Sequence, residues 1–242
     1  MSDWIRKSVT AMQGYVPGEQ PQGDEVVKLN TNENPYLPSP EVLDMLREID
    51  VADLARYPDP VCMNVRKVIA DLHGCSVEQV FVGNGSDEIL ALAMRAFVER
   101  DEKVGFLEPS YSLYPVLAQI EDLQQERVAL NERFNWTIPE RVEAALFLLT
   151  NPNAPTSVSA DFEQIAAFAE QFKGVLLIDE AYAEFADWNC MDLALKHAHV
   201  LVSRSLSKSY SFAGIRCGYC VGHADLVRAL YKIKDSYNVN YI

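Results

Sequence analysis

Six short apolar runs recur along the chain, at 79–82, 104–107, 127–130, 146–150, 175–179 and 200–203. Helix-patterned segments at 87–99, 112–120, 161–172 and 191–197 lie between most of them. Apolar runs without polar alternation suit strands that are buried on both faces. Strand–helix alternation of this kind predicts an α/β fold, a mainly parallel sheet with helices on both faces. A further strand is expected at 214–221 and a helix at 224–233. Upstream, Ser39-Pro40 opens a helix over 40–49, with serine as cap and proline at the first helical position. A second helix covers 61–72 and stops at Gly74. The first forty residues contain Pro17, Pro21, Pro35, Pro38 and Pro40 and read as irregular chain.

Ligands of such sheets lie beyond the carboxyl ends of the strands. The polar loops that begin where apolar runs end, at 83–88, 108–114, 151–157, 179–182 and 203–208, should therefore carry the chemistry. Gly83-Asn84-Gly85-Ser86-Asp87-Glu88 follows a strand and opens a helix. Its glycines allow close backbone approach, and the N–H groups of Ser86 and Asp87 make a phosphate site or, more plainly, a capped turn. The segment is neither G-x-G-x-x-G nor a P-loop. Tyr111 sits just past a strand end, where it either stacks on a flat ring or fills the core. Asp179 ends a buried run, so its carboxylate needs a cation, a cap or an internal ion pair. Lys208, in Ser205-Leu206-Ser207-Lys208 ahead of Gly214 and Arg216, has what a phosphorylated aldehyde requires: an amine for imine formation, with hydroxyls and a guanidinium for the phosphate.

Composition and other motifs narrow the choice. Thirty-five acidic against 21 basic residues give a net charge of −14, which argues against a nucleic-acid footprint. No apolar run approaches bilayer-spanning length and residues 1–30 lack a signal-peptide core, so a soluble cytoplasmic protein is expected. The five cysteines do not form a disulfide framework. Cys217-Gly218-Tyr219-Cys220 matches C-x-x-C, but on a strand its thiols face opposite sides and read as ordinary buried cysteines. Ser205-x-x-Lys208 also matches a serine acyl-transfer motif, yet the accompanying K-T-G and S-D-N are absent. His197-x-His199 has no further ligands beside it, and no metal site is expected.

As an ordered set, these residues resemble the histidinol-phosphate aminotransferase family, fold-type I enzymes that use pyridoxal 5'-phosphate. Leu29-Asn30-Thr31-Asn32-Glu33-Asn34-Pro35-Tyr36 is similar to the family's N-terminal substrate loop, and Arg56-Tyr57-Pro58-Asp59-Pro60 to its R-Y-P-D segment. The likeness runs from residue 29 to 242. It implies Lys208 as the catalytic lysine and covalent anchor, and Asp179 as partner of the pyridine nitrogen. It further implies Tyr182 on the phenolic oxygen, Tyr111 stacked on the ring, and Gly85, Ser86, Asp87, Ser205, Ser207 and Arg216 around the phosphate. Tyr57 would reach the cofactor of a partner subunit in a homodimer, and Asn32 and Tyr36 would face the substrate. The implied reaction is transamination between L-histidinol phosphate and 2-oxoglutarate in histidine biosynthesis. Its alternatives are an aromatic-amino-acid aminotransferase or threonine-phosphate decarboxylase of the same fold, or a non-catalytic cofactor-binding domain.

The chain departs from the family pattern twice. Where the family reads N-N-P-T-G, this chain has Asn153-Ala154-Pro155-Thr156-Ser157. The family asparagine before the proline binds the phenolic oxygen, a task expected here of Asn153. The chain also ends at Ile242, where family members continue into a small C-terminal domain. The expected organisation is an N-terminal arm and substrate loop at 1–38 and a large cofactor domain at 39–242, with the small domain absent and little turnover by this length of chain alone.

Overall fold

The computed structural model describes residues 4–21, 25–137, 139 and 141–242. Its centre is one seven-stranded sheet built from β1 (Val80–Asn84), β2 (Lys103–Glu108), β3 (Gln124–Ala129), β4 (Leu146–Thr150), β5 (Val175–Asp179), β6 (Val200–Ser205) and β7 (Cys217–Gly222). The strand order is β1-β7-β6-β5-β4-β2-β3. The strands from β3 to β6 pair in parallel, as predicted, while β7 is antiparallel to both β6 and β1. Two antiparallel pairings in succession leave β1 pointing the same way as the parallel five. Six strands thus end at one edge of the sheet, and β7 begins there.

Successive side chains of the inner strands enter different layers, as the two-residue period of a strand requires. Phe147, Leu149, Leu176, Ile178, Val200 and Val202 pack on one face against α3 (Met63–His73), α6 (Phe162–Gln171) and α7 (Met191–Lys196). Leu146, Leu148, Leu177 and Leu201 pack on the other against α4 (Gly85–Phe97), α5 (Leu113–Ile120) and α8 (Ala224–Ile233). Burial of each such side chain stabilises by about 1.5–3 kcal/mol, which explains why the interior positions of these runs are apolar and polar residues enter only at their carboxyl ends. Cys217 joins the first layer and Cys220 the second, so the C-x-x-C pair is split across the sheet.

The boundaries that differ from expectation have local causes. β3 starts at Gln124, three residues before the apolar run, because an edge strand needs no continuous apolar stretch; its Arg127 pairs with Glu108 on β2 at 2.8 Å. β7 starts at Cys217 rather than 214: Ala213–Ile215 form a 3-10 turn and Arg216 takes a left-handed conformation (φ 57°). N-terminal to the sheet lie α1 (Lys7–Ala11) and α2 (Pro40–Arg47), neither with a buried residue. Residues 1–3 and 22–24 of the expected arm lie outside the described residues.

β7 crosses the start of α4 with no room for a side chain. A Cβ on Gly218 would stand 2.6 Å from the Gly85 carbonyl carbon and from the Ser86 nitrogen, whereas one on Gly214 would meet nothing within 4 Å. Gly218→Ala is expected to lower stability by about 1–3 kcal/mol, because backbone on both sides must move. Gly214→Ala should change it by less than about 0.5 kcal/mol. Urea denaturation of the two variants beside the parent chain checks the contrast.

Candidate functional site

The edge at which six strands end gathers most of the residues singled out above. A cavity of about 230 Å³ there is lined by Ser86 and Asp87 after β1, Tyr111 after β2, Asp179 and Tyr182 at and after β5, and Ser205, Ser207 and Lys208 at and after β6. Arg216, just before β7, completes the wall.

Each residue is placed by its element. Gly85 begins α4 with φ 75°, and a Cβ on it would stand 2.5 Å from Arg216 Nη2, so only glycine lets the guanidinium lie over the helix start. No side chain caps α4, which leaves its first N–H groups as donors for an anion. Arg216 Nη2 donates to Asp87 Oδ2 at 3.2 Å, and Tyr111 Oη donates to Asp87 Oδ1 at 3.2 Å. Burial, then the nearby Asp87 carboxylate, hold the Tyr111 phenol well above the ordinary tyrosine range. Ser205 Oγ accepts from Ser207 N at 3.1 Å, while Ser207 Oγ is buried without a partner among the described residues.

Asp179 is 3% exposed and accepts from Tyr114 Oη at 2.9 Å and from Ala181 N at 3.2 Å. Burial pushes its pKa up to about 6, against the pull of those two hydrogen bonds. Lys208 Nζ donates to the Thr31 carbonyl at 2.7 Å and lies 5.7 Å from the centre of the Tyr182 ring. Its pKa is lowered, first by burial and further by Arg216 and Lys28, while Asp87 and Glu33 act in the opposite sense. A second cavity of about 480 Å³ adjoins the first through Ala154 and Tyr182, and Asn32, Trp188 and Phe185 help to line it.

Five expected residues do not line the first cavity: Gly85 lies beneath Arg216, Asn32 and Asn153 line the second cavity, and Tyr36 and Tyr57 line neither. Tyr57 is 78% exposed and stacks on Tyr237 with ring centroids 4.3 Å apart. Tyr36 is 79% exposed. Asn153 differs from expectation for a chemical reason: its Nδ2 donates to Pro109 O at 3.0 Å and to Thr156 Oγ1 at 2.9 Å, and its Oδ1 accepts from Ser110 at 2.7 Å. With one amide hydrogen spent on its own loop and the other on the loop after β2, it has none for a ligand. Sequence reasoning missed Tyr114, which looked like an ordinary helix start, and Thr150, whose hydroxyl bonds the Tyr114 phenol. It also missed Tyr15 and the Thr31 carbonyl, which come from the arm. Among the described residues no three His, Cys, Asp or Glu are grouped to hold a metal, and no helix is long and apolar enough to cross a membrane.

Comparison with known proteins agrees with this layout. The family "Aminotransferase class I and II" matches residues 24–241. The chain belongs to that family. Histidinol-phosphate aminotransferase 1 of Nostoc sp. is 41% identical over all of this chain and 69% of its own length. The histidinol-phosphate aminotransferase of Crocosphaera subtropica is 41% identical over 98% of this chain and 68% of its own. The crystal structure of histidinol-phosphate aminotransferase from Sinorhizobium meliloti, in complex with pyridoxal-5'-phosphate, superposes with a TM-score of 0.79 at 25% identity. That superposition covers 87% of this chain and 60% of the other. The chain thus spans about two thirds of the relatives it matches.

The family's cofactor is pyridoxal 5'-phosphate, and the residues present fit it. The uncapped start of α4, Arg216 and the partnerless Ser207 hydroxyl suit a phosphate dianion. A buried carboxylate without a cationic partner suits a protonated ring nitrogen. Without cofactor, ionising Asp179 works against the fold. Its pKa rises on folding from 3.8 to about 6, so the contribution to stability is full below pH 3.8 and is lost as pH climbs through 6. Asp179→Asn removes that loss. The cofactor-free variant is expected to gain on the parent by roughly 2–3 kcal/mol between pH 4 and pH 8. Added cofactor should then stabilise the parent more than the variant, which keeps Lys208 and the phosphate donors but lacks the carboxylate. Urea titrations at the two pH values, with and without cofactor, test both parts.

Proposed function

We propose that the chain forms the arm and cofactor domain of a cytoplasmic histidinol-phosphate aminotransferase, which passes the amino group of L-histidinol phosphate to 2-oxoglutarate in histidine biosynthesis. The observation that carries this is the meeting of Lys208, Asp179 and Arg216 on one cavity, in a chain 41% identical throughout to relatives of that name. Bound pyridoxal 5'-phosphate supplies an electron sink for the bond broken at the amine-bearing carbon.

The chain's own residues do the rest. Lys208 is the covalent anchor, and burial lowers its pKa so that more of the Nζ amine is unprotonated and able to accept and return a proton. Asp179 keeps the ring nitrogen protonated: it is the buried anion for which that proton is the missing countercharge. Gly85, Ser86 and Asp87 offer main-chain N–H groups to the phosphate, with Ser205, Ser207 and Arg216 beside them. Tyr111 stacks on the ring, Tyr182 holds the phenolic oxygen, and Asn32 and Tyr36 belong to the loop that covers the substrate. The working unit is a homodimer in which Tyr57 serves the partner subunit's site. Supporting this, Val51, Leu54, Tyr57, Val68 and Leu72 all expose apolar surface.

Borohydride reduction after incubation with pyridoxal phosphate, followed by peptide mass mapping, is expected to modify Lys208 selectively. Adducts scattered over surface lysines would overturn the cofactor assignment. With the relatives' full length of chain, turnover of histidinol phosphate should exceed that of phenylalanine and threonine phosphate by at least tenfold. Sedimentation velocity should give twice the mass of one chain.

A further inference from the structure

One hydrogen bond at the junction of the two cavities fixes the direction of a proton. Asn32 Nδ2, from the arm, donates to Tyr182 Oη at 2.9 Å. A tyrosine hydroxyl has a single hydrogen. With Asn32 approaching as donor, that hydrogen is left for some other acceptor, and no acceptor among the described residues takes it. Tyr182 lines both cavities, so a ligand oxygen bound there is within its reach.

The backbone is held for this contact at a cost. Thr31 (φ 60°) and Asn32 (φ 52°) both lie in the left-handed region, which asparagine tolerates and a β-branched threonine adopts under strain, so contacts from elsewhere in the chain help to hold the pair. Those contacts are Lys208 Nζ to Thr31 O at 2.7 Å, Asn34 Nδ2 to Ser209 O at 3.2 Å, and the Asn32–Tyr182 bond itself. Among the described residues that line either cavity, the only other side-chain amide is that of Asn153. Ala154, which borders both cavities, has no side-chain donor, and Asn153 has spent both of its hydrogens.

We propose that Asn32 is a positioning residue: by donating to Tyr182, it makes that tyrosine an obligate donor toward the ionised phenolic oxygen of the cofactor. This rests on the pyridoxal-phosphate reading above. A donor to that oxygen favours its ionised form and so holds the pH midpoint of the bound cofactor's visible absorption band low.

Asn32→Asp keeps the size of the side chain and its contact with Tyr182 but reverses the bond, so that Tyr182 donates to the arm. The midpoint is expected to rise by about one pH unit, the size of one charge-assisted hydrogen bond. In a Tyr182→Phe background the same substitution should move the midpoint much less, since no phenol hydrogen remains to redirect. An equal shift in both backgrounds would show only the field of an added charge and would overturn the proposal. No shift in either would reduce Asn32 to a tie for the arm and would overturn it as well. Failure of the cofactor reading is distinguishable, because the parent chain would then show neither the visible band nor a borohydride-trapped Lys208.

Discussion

Asp179 ends β5, the fourth of seven strands, so its carboxylate has sheet on both sides and little water to ionise into. Such a group is costly unless hydrogen bonds and a countercharge meet it. The hydrogen bonds are built in. Thr150 is its ladder partner on β4, and the Thr150 hydroxyl and the Asp179 carboxylate both bond the Tyr114 phenol, brought down by the first turn of α5. Tyr114 is fully buried, and Tyr111, one turn earlier, meets it edge-on at 5.6 Å. The position of the stacking tyrosine is therefore tied to the position of the acid. That common support fixes the distance between the groups proposed to face the ring and to hold its nitrogen.

The reversal of one strand does comparable work for the other half of the site. A parallel successor to β6 would need a crossover of a dozen or more residues and would start at the far edge of the sheet. Because β7 is antiparallel, the connection at 206–216 stays at the edge where the other strands end, and it presents both Lys208 and Arg216 there. Ser205 then stands opposite Gly218, and Gly83 opposite the same glycine from the other side. The absence of a side chain at Gly218 is what lets the start of α4, with the proposed phosphate donors, settle onto β7 near Arg216.

Most of this was legible in the residues because it follows from local rules. Apolar runs without alternation specify buried parallel strands, and β4 and β5 occupy the residues that the runs at 146–150 and 175–179 marked. Loops after such strands carry ligands, which singled out Asp179 and Lys208, while Arg216 stood out by following Gly214 in the segment that Lys208 opens. The illegible parts depend on contacts between distant segments. Thr31 matters through a carbonyl, which every residue has, and only its 177-residue reach to Lys208 makes it special. Asn153 looked available because its neighbours Pro109 and Ser110, on the loop after β2, do not announce in sequence that they will consume its amide. The antiparallel sense of β7 was hidden because direction leaves no mark on the composition of a buried strand.

Two acids stand side by side at the end of β5, and the strand period separates their fates. Asp179 turns toward the layer of Tyr114 and Glu180 toward the layer of Cys190. Glu180 is fully buried and has its own cation: Arg204 Nε and Nη2 donate to it at 3.0 and 2.8 Å, and Arg204 Nη1 also reaches Glu184 at 3.3 Å. Burial still pushes the Glu180 carboxyl up, with Arg204 opposing. Buried pairs of this kind add little net stability, because desolvation offsets most of the attraction. What the pair does here is local. It satisfies one face of the strand end and leaves the other acid without a cation, since Arg204 projects to the Glu180 side. Had the arginine entered the opposite layer, Asp179 would be neutralised internally and a protonated ring nitrogen would gain nothing by binding there. The alternation of side chains along two adjacent strands thus leaves one carboxylate free for an external cation, so that under the proposed role of Asp179 strand geometry meets the cofactor's demand for an anion.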